Sequence, residues 1–197
     1  MRAQAHTLEG VAASLVVVVA VAFTLQATAV TPLTASTASQ HIETQHERAA
    51  AGLLDVERAN GNLSRTLRYW NSSSGSFKNA SRKGYYVGEP PDASFLQAVE
   101  RTFGDRAVAY NVNVHYLDAF GDQRIRRVVY HGEPSADAVA ATRLVTLYDD
   151  QTVTVRDGDQ FVVSETGPPL SNASYFPADV SGHTYAVVEV EVIVWRM

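Results

Sequence analysis

The 197-residue chain carries 16 basic and 21 acidic residues, a net charge of −5, a pI near 5.6 and no cysteine. That excludes disulfides, thiolate metal centres and cysteine nucleophiles, and it argues against a general nucleic-acid binder, which needs a concentrated basic face. The length allows one modest core once any membrane segment is set aside.

The first element is an uncharged apolar run from Gly10 to Val30, with valine at each position from Val16 to Val19. About 20 apolar residues at a helical rise cross a ~30 Å hydrocarbon layer. The Val, Leu and Phe side chains in the run each favour insertion by roughly 0.3–0.6 kcal/mol, about 3–6 kcal/mol together. A transmembrane helix is therefore predicted over 10–31, preceded by a stub at 1–9, with lipid as its partner. The rest of the chain then lies outside the cell: a single-pass cell-membrane protein with an extracellular C-terminal domain.

The stub reads Met1-Arg2-Ala3-Gln4-Ala5-His6-Thr7-Leu8-Glu9. A carboxylate at the lip of an apolar segment is costly unless it finds a partner. This arrangement resembles the leader of type IV pilins and archaeal pilin-like proteins. The resemblance implies cleavage by a prepilin peptidase near Ala3 and Gln4. It also implies a subunit-packing role for Glu9, pairing with the new amino terminus of a neighbouring pilin-like subunit. Cleavage after Ala3 makes Glu9 the sixth residue, and cleavage after Gln4 makes it the fifth, the family's usual place. The leader, the ATAVTPL and SQHIE stretches and the closing VIVWRM also resemble an uncharacterised haloarchaeal membrane-protein family found among pilin-like genes. Only two of the basic residues, Lys78 and Lys83, are lysines, a bias in keeping with a GC-rich, salt-adapted source. Two other readings are an uncut signal anchor and a secreted product cut after Ala27-Thr28-Ala29.

Pro32 would end or kink the first helix. Beyond it, Ile42, Ala49, Leu53, Val56, Leu63, Leu67 and Trp70 recur at steps of seven, four and three, with His46 and Asn60 filling the seam. Glu43, Glu47, Arg48, Asp55, Arg58 and Arg65 supply the solvated side. An amphipathic stalk helix is predicted over 32–70, with a break at Asn60-Gly61-Asn62. The polar segment 71–91 reads as an exposed linker. N-glycosylation sequons fall at Asn62, Asn71, Asn79 and Asn172, marking the chain as a candidate glycoprotein.

The remainder, 92–197, is predicted as a head domain. A short helix starts near Asp92 or Ser94, buries Phe95, Leu96, Val99 and Phe103, and stops at Gly104. Strands follow over Val108–Tyr116, Gln123–Tyr130, Ala138–Tyr148, Thr152–Val155 and Phe161–Val163. A final strand begins at Tyr185 and turns Val188, Val190, Val192 and Val194 to one face. An apolar C-terminal strand belongs in the middle of a sheet, since an exposed edge invites aggregation. The fold class is α+β: a transmembrane helix extended by an amphipathic helix, then a small antiparallel-sheet head with one short helix.

No catalytic, cofactor-binding or metal-binding residues are identified. His41, His46, His115, His131 and His183 lack metal-motif spacing, and Asp149-Asp150 is read as a turn. Arg124, Arg126 and Arg127 form a small basic cluster, read first as a solvated strand face and second as a contact for an acidic partner. Tyr85, Tyr86 and Tyr175 are noted as aromatics that could meet sugars. The expected function is a non-enzymatic, pilin-like cell-envelope protein, with no nucleic-acid partner. The alternative is a signal-anchored or secreted extracellular binding domain unrelated to pili.

Overall fold

In the computed structural model, backbone is described for residues 2–88, 94–104, 107–157, 160–163, 168–177 and 182–197, and side chains for the same residues except 2–9, 25–39, 94, 156–157 and 160–163. The protein is α+β with antiparallel sheets, in the order α1 (Arg2–Ala59), α2 (Asn62–Leu67), β1 (Trp70–Asn71), β2 (Ser76–Phe77), α3 (Ser94–Phe103), β3 (Val108–Leu117), β4 (Gln123–Tyr130), β5 (Val139–Tyr148), β6 (Thr154–Asp157), β7 (Gln160–Val163) and β8 (Thr184–Arg196). Two compact units are present, Met1–Ile42 and Glu43–Met197.

In the first unit, the described side chains of the apolar run are those of Gly10–Thr24. At 1.5 Å per residue that stretch is about 22 Å long, short of a ~30 Å hydrocarbon layer. Among the described residues, no helix is long and apolar enough to cross a membrane. The remainder of the expected span, through residue 31, lies outside the described side chains.

The second unit is built on a four-stranded antiparallel sheet in the order β4-β3-β8-β5. The C-terminal strand is central, as its unbroken apolar face demands. Val188, Val190, Val192 and Val194 all turn inward and are buried, joined by Tyr110, Val112 and Val114 of β3 and by Ala141, Val145 and Leu147 of β5. Helix α3 closes this core with Phe95, Leu96, Val99 and Phe103, all buried. Gly104 follows directly, and a Cβ there would stand 2.6 Å from the Glu100 carbonyl oxygen, so glycine suits this helix exit.

Three differences from the sequence reading concern phase, burial and strand pairing. The helix does break at Gly61, which adopts a left-handed φ of 72°, a conformation that suits glycine. The seam N-terminal to the break, however, runs through Ala50, Leu54 and Glu57, while Ala49 and Val56 are exposed. Gly61 resets the helical phase, so counting back from Leu63 and Leu67 lands one residue away from the buried face. Glu57 is kept in this seam by accepting a hydrogen bond from Asn62 Nδ2 at 2.7 Å, across the break.

The expected linker is also part of the core. Strands β1 and β2 pair as a hairpin, and Trp70, Phe77 and Tyr86 are buried. Tyr86 then docks on the open edge of β4, donating from its amide to the Val128 carbonyl and accepting from the Tyr130 amide. Finally, β6 and β7 form a separate hairpin rather than joining the sheet. Buried Arg68 holds its base by donating to the Thr152 carbonyl at 2.6 Å, and Thr154 returns bonds to the Arg65 and Arg68 carbonyls. Burial lowers the Arg68 pKa. With backbone carbonyls as partners, its role is to clamp α2 to this hairpin.

Helix α1 is tied to the edge strand β5 by a two-pronged ion pair. Arg143 Nε and Nη2 donate to Asp55 Oδ1 and Oδ2 at 2.6 and 2.7 Å. The Arg143 hydrogen bond holds the Asp55 carboxyl below its ordinary value. A depressed carboxyl pKa stabilises the fold above the unfolded-state value near 4, and this contribution is lost as pH falls through the folded value. The Asp55→Asn variant should therefore melt below the wild type at pH 7, with the gap narrowing as pH falls below the unfolded-state carboxyl value near 4. A gap that persists in acid would remove the ion pair as its cause.

Candidate functional site

Two surfaces stand out, one in each unit. In the first, the side chains of Val11, Leu15, Val16, Val17, Val18, Val19, Val21 and Phe23 are 53–74% exposed. Successive residues on a helix point about 100° apart, so Val16–Val19 cover its whole circumference. A helix apolar all round, rather than on one stripe, requires an apolar surrounding on every side. The hydroxyls here bond inward: Ser14 Oγ donates to the Val11 carbonyl and Thr24 Oγ1 to the Ala20 carbonyl, at 2.8 and 2.7 Å. Such back-bonding leaves little polar surface needing water.

In the second unit an aromatic cluster fills one end of the core. Trp70 packs edge-on against Phe77 and Tyr175, each at 5.4 Å between ring centroids, and lies 5.1 Å from Phe176. Its Nε1 donates to the Ser174 carbonyl, and the Tyr175 hydroxyl donates to the Leu67 carbonyl. Tyr175 is thereby half-buried against the core, and burial of its hydroxyl pushes its pKa, like that of Tyr86, well above the ordinary tyrosine value. Tyr85, also half-buried, stands edge-on to Tyr130.

The three arginines of β4 separate in role. Arg124 is spent on its own turn, donating to Asp118 at 2.8 Å and Asp122 at 3.4 Å. Arg126 opposes Val114 and lies between Trp70 and Phe176, 4.9 Å from each ring centroid. Its Nη1 donates to the Gly75 carbonyl, whereas its Nε is buried with no hydrogen-bond partner among the described residues. Arg127 lies over the Tyr130 ring at 4.2 Å.

Where segment 74–86 passes the β4 edge, two adjoining recesses of about 500 Å³ each open to the surface. They share Lys83, Gly84 and Arg126; Arg127 adds a cation to one and Arg82 to the other. No carboxylate lines either recess, and among the described residues none of these four cations has a carboxylate partner. On a chain of net charge −5, this is a local reversal of sign.

No catalytic constellation emerges elsewhere among the described residues. On the outward sheet face, Asn113 Nδ2 donates to Glu191 Oε2, and His115 Nε2 lies 3.0 Å from the same oxygen. No described group of three His, Asp or Glu side chains could hold a metal. Asp149-Asp150 forms the expected turn, closed by Gln151 N donating to the Tyr148 carbonyl.

The side chains of Ala3, Gln4 and Glu9 lie outside the described residues. Of the sequon asparagines, Asn62 has its amide committed to Glu57, and Asn79, with a left-handed φ of 60°, donates to the Tyr69 hydroxyl. Asn71 and Asn172 are exposed, and their Nδ2 atoms have no protein partner among the described residues. Sequence reasoning missed Arg82 and Lys83, whose only signal was a basic dipeptide in a polar stretch.

The class is thus an α+β protein with an all-round apolar helical stretch and an antiparallel head bearing a basic cleft. The chain belongs to the family described as "Family of unknown function (DUF7288)", which matches residues 2–194. No curated protein and no solved structure matches it.

Proposed function

We propose that the protein is a non-enzymatic, single-pass cell-envelope protein of pilin-like design, anchored through its N-terminal helix with the head displayed outside the cell. The observation that carries this reading is the apolar circumference of the helix at Val11–Phe23, 53–74% exposed at its large side chains. Each such side chain gains about 1.5–3 kcal/mol on leaving water. Lipid, or the helices of neighbouring subunits, supplies that surrounding on every side. The pilin-like element rests on two further features. The leader has Glu9 at the mouth of the apolar run, and helix α1 carries both this run and the Ala50–Leu54 surface that packs the head. The transmembrane span is taken to run over 10–31, the glycans to sit at Asn71 and Asn172 first, and a prepilin peptidase to act at Ala3-Gln4.

Mass spectrometry of the mature amino terminus tests this. A chain beginning at Gln4 or Ala5, recovered with the membranes, supports the pilin-like reading. A chain beginning at Met1 makes it an ordinary signal anchor, and one beginning at Val30 makes it a secreted domain. Glu9→Ala should impair assembly with other subunits while leaving the protein in the membrane fraction. Recovery of uncut protein as a freely dissolved species would overturn anchoring altogether.

A further inference from the structure

We propose that the basic cleft at the β4 edge binds an acidic sugar chain, one bearing carboxylate or sulfate groups. The inference stands apart from the anchoring of the helix, because every residue it uses lies in the Glu43–Met197 unit.

Cation placement is the first argument. Arg82, Lys83, Arg126 and Arg127 come from two segments more than 40 residues apart and converge on two recesses that hold no acidic side chain. Like charges brought together without counter-charges repel, so the arrangement gains when an anion enters. Arg126 is pre-set for this by Trp70 and Phe176, which fix its guanidinium between two rings. A fixed fork loses little freedom on meeting a planar carboxylate or a sulfate.

The rest of the lining selects the carrier of the charge. Ser74, Ser76, Ser81 and Asn113 line the recesses; Ser74 Oγ pairs with Ser76 Oγ, Ser81 Oγ donates to the Tyr85 carbonyl and Asn113 Nδ2 donates to Glu191. A hydroxyl or amide oxygen has two lone pairs, so these side chains can still accept from sugar hydroxyls, and two joined recesses of about 500 Å³ each accommodate more than one ring. Ile125, 63% exposed, supplies an apolar wall against which a sugar face can pack.

Nucleic acid fits less well. Single strands are held by stacking bases on free aromatic faces. Here Tyr85 abuts Tyr130, Tyr116 abuts Phe176 and Trp70 is buried. Duplex binding needs a long row of phosphate contacts, whereas these cations are confined to one cleft.

The test uses the full-length chain in a non-ionic maltoside detergent at fixed ionic strength, titrated with dextran sulfate, polygalacturonate, neutral dextran and a single-stranded oligothymidylate. Dextran sulfate or polygalacturonate should bind, the stronger of the two identifying the anionic group, and neutral dextran should not. The Lys83→Gln/Arg127→Gln variant should lose about tenfold or more in affinity, the cost of one or two charge-assisted hydrogen bonds. Arg82→Gln should weaken binding in the same direction. Arg124→Gln should bind as the wild type does, because Arg124 is already paired with Asp118 and Asp122. The proposal is overturned if neither acidic polymer binds, or if Arg124→Gln loses as much as Lys83→Gln/Arg127→Gln. Oligothymidylate binding more tightly than both polymers, with the same variant dependence, would also overturn it, in favour of nucleic acid.

Discussion

Removing Val190–Met197 should leave the Glu43–Met197 unit unable to fold. The deleted residues include Val190, Val192 and Val194, each at most 1% exposed. Their loss forfeits about 5–9 kcal/mol of burial at roughly 1.5–3 kcal/mol per side chain. Strand β8 also lies between β3 and β5, with residues 190–196 pairing with Val108–Val114 on one side and 190–194 pairing with Val139–Arg143 on the other. Truncation strands both ladders inside an apolar core, where unpaired amides and carbonyls cost free energy comparable to lost hydrogen bonds. Total domain stability is only about 5–15 kcal/mol, so the deletion exceeds what the fold can absorb. Circular dichroism should show no cooperative melt, and limited proteolysis should find no protected head. A truncated protein melting sharply near the wild-type temperature would disprove the central role of β8.

Trp70→Ala should be the most damaging single substitution in the aromatic cluster. Trp70 is 3% exposed, touches Phe77, Tyr175 and Phe176, and supports the Arg126 guanidinium. Truncating a buried Trp to Ala costs about 3–5 kcal/mol through lost transfer energy and the cavity left behind. For a unit of this size that lowers Tm by about 6–20 °C. Trp70→Phe keeps ring contact but loses the Nε1 bond to the Ser174 carbonyl, so it should fall between wild type and Trp70→Ala. A Trp70→Ala shift under 3 °C would mean the cluster repacks freely. Because Arg126 leans on this ring, Trp70→Phe should also weaken binding of the acidic polymer more than it weakens the fold.

Much of the architecture follows from periodicity. The alternation of β8, the apolar face of α3 and the break at Gly61 all depend on neighbours within a few residues, and each stands in the structure as read. Where the reading fails, a long-range event decides. Segment 71–91 is polar in composition, yet Phe77 and Tyr86 are buried because the segment folds back as a hairpin and then docks on β4. No local pattern announces a docking whose partner is more than 40 residues away. The α1 seam fails differently: one left-handed glycine shifts the phase, and a period carried straight across it points at the wrong residues.

By itself the sequence determined the elements with strong local signals: an apolar run, an amphipathic helix, and strands whose alternating side chains must face a core on one side. Burial of apolar surface is additive along a chain, so it is legible residue by residue. Only the tertiary structure decided which cations meet carboxylates. Arg124, Arg126 and Arg127 look alike in the sequence, but one is consumed by Asp118 and Asp122 and the other two turn into a cleft with Arg82 and Lys83. Electrostatic interaction falls off with distance through space rather than along the chain, and that distance exists only once the fold is made.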